Sequence, residues 1–265
     1  MEEETEVLAN KIKAELALDK SWNIGKTDVF KYLRRKISDA GIMVMQSGIV
    51  GGSTSRTLDI NEFRAFVMID EYVPLIFINA TDSPRAKIFS LCHELVHIWL
   101  GIDELYNDIF TANRTFNNEK LEIFCNEVAA EILLPKQLLK NIYDKQEDVN
   151  VNINNISKRY SVSKLVTCIR MKNVNLINKK TFDSVYANLL ENIEENFSKE
   201  KQNDQSNSGG NFYNLLGSRL DPRFVHSVNR KAREGSILYT EAYELVGAKG
   251  KTYDKLMDHM EGRCN

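Results

Sequence analysis

The chain has 265 residues, 35 Lys and Arg against 37 Asp and Glu, and a net charge of −2. At 43% hydrophobic and 27% charged residues it has the make-up of a globular protein with ample core, arranged as one large unit or a few small ones. Near-neutral charge leaves no global footprint for a polyanion partner, and no apolar run approaches membrane-spanning length.

The first stretch, MEEETEVLANKIKAEL, is acidic and amphipathic, the opposite of a secretory leader. The apolar spacing predicts helices over 2–20 and about 26–40, the second carrying Val29, Phe30, Leu33 and Ile37 on one face. GIMVMQSG (41–48) is short, apolar and glycine-bounded, hence a strand. A loop of GGSTSRTLDINE follows, then two paired strands, FRAFVMID (63–70) and VPLIFINA (73–80). Pro74 places the last of these at an edge or marks a strand beginning. The small sheet therefore comes just before the most informative segment, SPRAKIFSLCHELVHIWLG.

That segment predicts a helix. Asp82 or Ser83 can cap it, Pro84 suits its first position, and Gly101 is a plausible stop. Residues four apart differ by about 40° in direction on a helix, so His93 and His97 project side by side. Two neutral imidazoles at that spacing can grip a tetrahedral cation such as Zn2+, with Mn2+ a possible substitute. Glu94, about 100° further round, is placed to take a proton from water beside the metal and pass it to a leaving amine. The chain has four histidines, and two of them fall in this apolar helix with a carboxylate between. Chance polar decoration of a helix is the weaker reading.

A third ligand is needed. Residues 102–120 read as a polar loop with some helix. LEIFCNEVAAEILLP (121–135) then forms a second apolar helix, and Pro135 can open another, KQLLKNIYD. Glu122, Glu127 and Glu131 compete there. Glu122 shares a face with the small or polar Asn126 and Ala129, which leaves room for a cleft, whereas Glu127 and Glu131 point about 140° and about 180° away and read as solvent-facing. Asp103, six residues after His97, is an alternative, but the chain turn it requires lacks a glycine at Leu100. Glu122 is favoured. A strand edge beside such a site is suited to holding a substrate chain extended.

Residues 145–180 contain two helices broken at Tyr160–Ser163, resembling a helix-turn-helix. Arg159, Lys164, Arg170 and Lys172 are its candidate bases for nucleic acid; otherwise they form a solvated face. Another helix covers 181–195. SKEKQNDQSNSGGN reads as a linker, and the remainder as glycine-punctuated helices whose His226 and His259 are surface or packing residues. Cys92, Cys125, Cys168 and Cys264 show no paired spacing, and the first two fall in apolar helices as reduced core thiols. The cytoplasm is the expected compartment.

The HELVH and EIFCNEVAAEILLP segments, with the approach FINATDSPRAKIFSLCHE, resemble the ImmA/IrrE family of zinc-dependent metallopeptidases. The tail GSILYTEAYELVGAKGKTYDKL is similar to that of members carried by phages and mobile elements. The resemblance places the metal-binding glutamate on Glu122 and an accompanying asparagine on Asn126. Val96 stands where relatives often carry a smaller residue. It implies an α+β fold: a minimal, gluzincin-like zincin domain with a small sheet packed on the HExxH helix, then helical domains including a helix-turn-helix-like unit. The expected boundaries are 1–140 for the peptidase domain, 141–196 for the helix-turn-helix-like domain, 197–212 for a flexible linker and 213–265 for a C-terminal helical domain. It further implies a metalloendopeptidase that cleaves a separate helix-turn-helix repressor, relieving repression in a stress or mobile-element response. His93, His97 and Glu122 would hold the metal, Glu94 would be the catalytic base, and Tyr160 is a candidate oxyanion donor. The alternatives are a non-catalytic regulator on a peptidase scaffold that binds DNA or a repressor, and a hydrolase of a non-peptide amide.

Overall fold

The computed structural model describes residues 2–51, 55–101, 117–203 and 212–261. Asp103, Cys264 and much of the expected linker lie outside them.

Helix α1 (Glu2–Glu15) stops short of the expected boundary because Ala17 takes a left-handed conformation, φ 47°. Helix α2 (Val29–Asp39) begins at Asp28, whose carboxylate accepts from Lys31 N, the usual answer to unpaired first-turn N–H groups. Its apolar stripe, Val29, Phe30, Leu33 and Ile37, is buried as the spacing predicts.

Three strands follow: β1 (Met43–Ser47), β2 (Ala65–Met68) and β3 (Leu75–Asn79). Their order is β1-β3-β2. Strand β3 runs antiparallel to β2 and parallel to β1. Pro74 accordingly sits at the entrance of the central strand, not on an edge. Its carbonyl still accepts from Met43 N, and its missing N–H falls just before the ladder begins.

The end of β3 aims the next helix. Asn79 is fully buried; its amide donates to the Phe63 carbonyl (3.1 Å), and its oxygen accepts from Thr81 N and Oγ1. Asp82 takes Arg64 at 2.9 Å. Of the two possible caps for helix α3 (Pro84–Leu100), Ser83 does the capping, accepting from Ala86 N. Gly101, at φ 70°, ends the helix in the left-handed conformation, where a side chain would be strained.

Helix α4 (Asn117–Leu133) packs against α1 and α3. Helices α5 (Lys136–Ile142), α6 (Val149–Arg159), α7 (Lys164–Asn173) and α8 (Lys179–Asn203) complete the main body. The turn between α6 and α7 has no glycine; Ser161 supplies the left-handed residue, φ 55°. Helix α8 reaches Asn203, into the stretch whose composition suggests a linker. The last helices are α9 (Phe212–Arg219), α10 (Pro222–Arg233), α11 (Tyr239–Val246) and α12 (Lys251–Glu261).

The fold is thus α+β, a small sheet among many helices. One core joins α1 through α8 and the sheet, with Leu33, Ile76, Ile78, Leu91, Leu95 and Ile132 at or near zero exposure. A second, smaller core lies within residues 216–260. Two expectations are corrected. Glu131 is buried, not solvent-facing, and Arg170 is buried with it as its ion-pair partner, so this base is unavailable to a nucleic acid. The helical wheel misplaces both because their burial depends on helices that meet only in the fold.

Candidate metal centre

Helix α3 carries the site because its ends are fixed and its apolar face is committed. Leu91, Cys92, Leu95 and Val96 are fully buried beneath it. On the side facing α4, His93 and His97 converge as the four-residue spacing requires, with their Nε2 atoms 3.1 Å apart.

Glu122 comes from α4 to the same point. Its Oε2 lies 3.2 Å from His93 Nε2 and its Oε1 3.4 Å from His97 Nε2. Three donor atoms around one zinc ion at about 2.0–2.1 Å, with tetrahedral angles, stand roughly 3.3 Å from one another. The observed separations match that spacing. Hydrogen bonding alone explains such convergence poorly, since a proton between two imidazoles satisfies only one contact. The donor set fits a divalent cation, and among the described residues it is the only His, Cys, Asp and Glu group within ligating reach of one another.

Exposure grades across the triad. The His97 side chain is at 0%, His93 at 13% and Glu122 at 43%, so the group is sealed below and open on the glutamate side. A catalytic metal site needs such an open position. Burial, seconded by the neighbouring His93, pulls the His97 pKa below its ordinary value, and Glu122 opposes the shift. A neutral imidazole with a free lone pair is the form that binds metal. His93 Nδ1 is buried without a hydrogen-bond partner among the described residues. Glu94, one residue on, is nearly enclosed at 4% exposure.

The other sequence candidates fall elsewhere. Asp103 lies outside the described residues. Glu127 is half-buried, and Asn126 is exposed on the Glu122 face. Tyr160 caps the end of α6 in the core at 2% exposure. His226 and His259 are half-buried in the C-terminal unit, away from the triad. Cys92, Cys125 and Cys168 are buried cysteines outside any disulfide, and burial pushes the thiols of Cys92 and Cys168 above the usual range. Among the described residues no helix is long and apolar enough to cross a membrane.

Sheet, capped helix and convergent triad together give an α+β domain with a side-chain group able to hold a divalent cation. The chain belongs to the Peptidase_M78 family, described as an IrrE N-terminal-like domain, whose profile matches residues 38–172. A second profile, a domain of unknown function (DUF8813), matches residues 220–259. The chain is 33% identical over 91 residues to the radiation response metalloprotease IrrE of Deinococcus radiodurans. That match takes in 34% of this chain and 28% of the relative, so the chain spans under a third of the relative's length. Among solved structures, a Mycobacterium tuberculosis transcriptional regulator aligns with a TM-score of 0.40 at 14% identity, over 63% of this chain and 46% of that one.

Proposed function

We propose that the protein is a zinc-dependent endopeptidase on a minimal, gluzincin-like zincin scaffold, acting in the cytoplasm on a separate helix-turn-helix repressor. The observation that carries the reading is the convergence of His93, His97 and Glu122 at 3.1–3.4 Å. Family membership and the likeness to a metalloprotease support the peptidase chemistry. The repressor as substrate, and a stress or mobile-element setting, rest on the family resemblance. Buried, reduced cysteines suit the cytoplasm.

In this reading His93, His97 and Glu122 hold the cation. Zn2+ is the first choice for two imidazoles and a carboxylate, and Mn2+ can substitute. When bound, it supplies Lewis-acid polarisation of the scissile carbonyl and acidification of a water. Glu94 would take a proton from water on its carboxylate and deliver it to the departing amine nitrogen. The burial of Glu94 excludes bulk water from this transfer.

Strand β2 supports the choice of a peptide substrate. Asn79 N donates to the Arg64 carbonyl at 2.8 Å, in line with the β2–β3 register. By antiparallel alternation, Phe66 and Met68 turn their main-chain groups to β3, and Ala65 and Val67 turn theirs outward. Among the described residues no hydrogen bond to those outward groups is found. A substrate strand laid there would be held extended beside α3, which β2 packs against.

The rival reading, a non-catalytic regulator, draws on the helix-turn-helix-like pair α6–α7. With Arg170 turned inward, Arg159, Lys164 and Lys172 remain as exposed bases, too few to favour it. The deciding experiment is Glu94→Gln, assayed on a helix-turn-helix repressor that the wild-type protein cleaves. We expect full metal content and cleavage reduced by about 100-fold or more. Undiminished cleavage by the variant sinks the assignment of Glu94. Chelator-insensitive loss of repression, with the repressor left intact, favours the rival.

A further inference from the structure

The far end of α4 is tied down by buried polar contacts that lie outside the His93, His97 and Glu122 group. Glu131 accepts from Lys136 N with both carboxylate oxygens, at 3.2 and 3.1 Å, and forms an ion pair with Arg170 of α7. The same Arg170 donates through Nε to the Leu134 carbonyl at 3.2 Å. From the other side Asn23, between α1 and α2, donates to the Leu133 carbonyl at 2.8 Å and the Tyr160 carbonyl at 2.9 Å. Glu131, Arg170 and Asn23 are all nearly inaccessible, at 5%, 6% and 3% exposure. Four segments of the chain are thus joined where α4 ends and α5 begins.

An enclosed ion pair contributes little stability compared with apolar packing; its attested use is to specify one arrangement. Here the arrangement concerns Glu122. Apolar contact between α3 and α4 sets how close the helices lie, but it is non-directional and resists axial sliding weakly. Charge-assisted hydrogen bonds are directional. Glu122 sits nine residues before Glu131 on the same helix, about 13 Å along its axis. A slide at the Glu131 end therefore arrives undiminished at the carboxylate facing the two imidazoles. Ligating groups must be held within about 0.5 Å.

We propose that Arg170 and Glu131 are positioning residues for Glu122: the pair locks the axial register of α4, making the helix α7 a brace of the metal centre. This rests on the metal-site reading above, so the test separates the two. Co2+ would be titrated into metal-free protein, following its visible absorption, for wild type, Arg170→Met, Arg170→Lys, the double variant Glu131→Met with Arg170→Met, and Met171→Ala. Met171 is a fully buried apolar neighbour on α7, so its truncation lowers Tm without touching the polar lock. We expect Arg170→Met to weaken Co2+ binding about tenfold or more and to shift the absorption bands, the scale seen when supports outside the ligand set are lost. Arg170→Lys should restore part of the affinity. The double variant should regain Tm yet stay weak for Co2+, a split that a merely structural role does not produce. If Arg170→Met does not fold, the double variant carries the test alone. Wild-type affinity and spectrum in the folded Arg170→Met or double variant overturn the inference, as does an equal loss in Met171→Ala. A wild-type protein that takes up no Co2+ overturns the site reading itself.

Discussion

The two edges of the three-stranded sheet have opposite fates. At β1 the outward groups of Val44 are fully used: its N–H donates to Asp221 at 3.1 Å, and its carbonyl accepts from Arg34 Nε and Nη2 at 3.1 and 2.8 Å. Arg34 continues into the C-terminal unit, donating to the carbonyls of Ser218 and Leu220 at the end of α9. Asp221, the N-cap of α10, also accepts from Ser38 Oγ, and Arg223 donates to the Ser38 carbonyl. At β2 the corresponding groups of Ala65 and Val67 meet no partner among the described residues, and Met68 is 47% exposed. An uncovered strand edge invites pairing with another chain, so proteins cover edges they do not use. The contrast teaches that the C-terminal helices close the β1 edge, while among the described residues the β2 edge is left open for an extended chain to add.

The largest effect should come from opening the closed edge. Asp221 has no exposure, and its charge offsets the burial that pulls the Arg34 guanidinium down to about 10. Asp221→Ala leaves Val44 N–H and Ser38 Oγ without their acceptor and removes the charge that offsets the burial of Arg34. We expect a loss of about 3 kcal/mol, as for leaving buried donors without their acceptor, read as a fall in the urea midpoint. Metal affinity should be untouched. Equal stability in the variant would show that the β1 edge is not closed by this contact.

A smaller effect, and on function only, is expected at the open edge. Ala65→Pro removes an N–H that makes no internal bond, a substitution edge strands tolerate. The loss of one main-chain hydrogen bond to substrate is worth about 1 kcal/mol, so cleavage should drop about fivefold to tenfold with Tm and metal content near wild type. Cleavage at the wild-type rate would place the substrate elsewhere and break the comparison.

What was legible in the sequence follows the range of the interactions. His93, His97 and Glu94 could be read from one helix, where spacing fixes direction. Glu122 required only the assumption that a second helix lies alongside, because its own face is marked by Asn126 and Ala129. Central placement of β3 was hidden because Pro74 carries a strong local edge signal, and the parallel pairing to β1 is a long-range fact. Glu131 and Arg170 each read as surface charge on a helical wheel; only their meeting buries them. Asp221 and Ser38 are separated by 183 positions, and nothing local to either points to the other. Local geometry thus pointed to the candidate ligands, and the buried polar contacts around their helices came only with the fold.

The finest test of the edge comparison is Gln46 on β1. Its amide donates to the Ser218 carbonyl at 2.9 Å, yet its Oε1 is buried without a partner among the described residues. Gln46→Met gives up one hydrogen bond, worth about 1 kcal/mol, and relieves an unsatisfied oxygen of similar cost. The two should nearly cancel, leaving stability within about 0.5 kcal/mol of wild type by urea denaturation. If stability instead falls as far as in Asp221→Ala, the edge is closed by cooperation among all its polar contacts. A near-neutral result assigns the closure to Asp221 and Arg34, with Gln46 a bystander on the same strand.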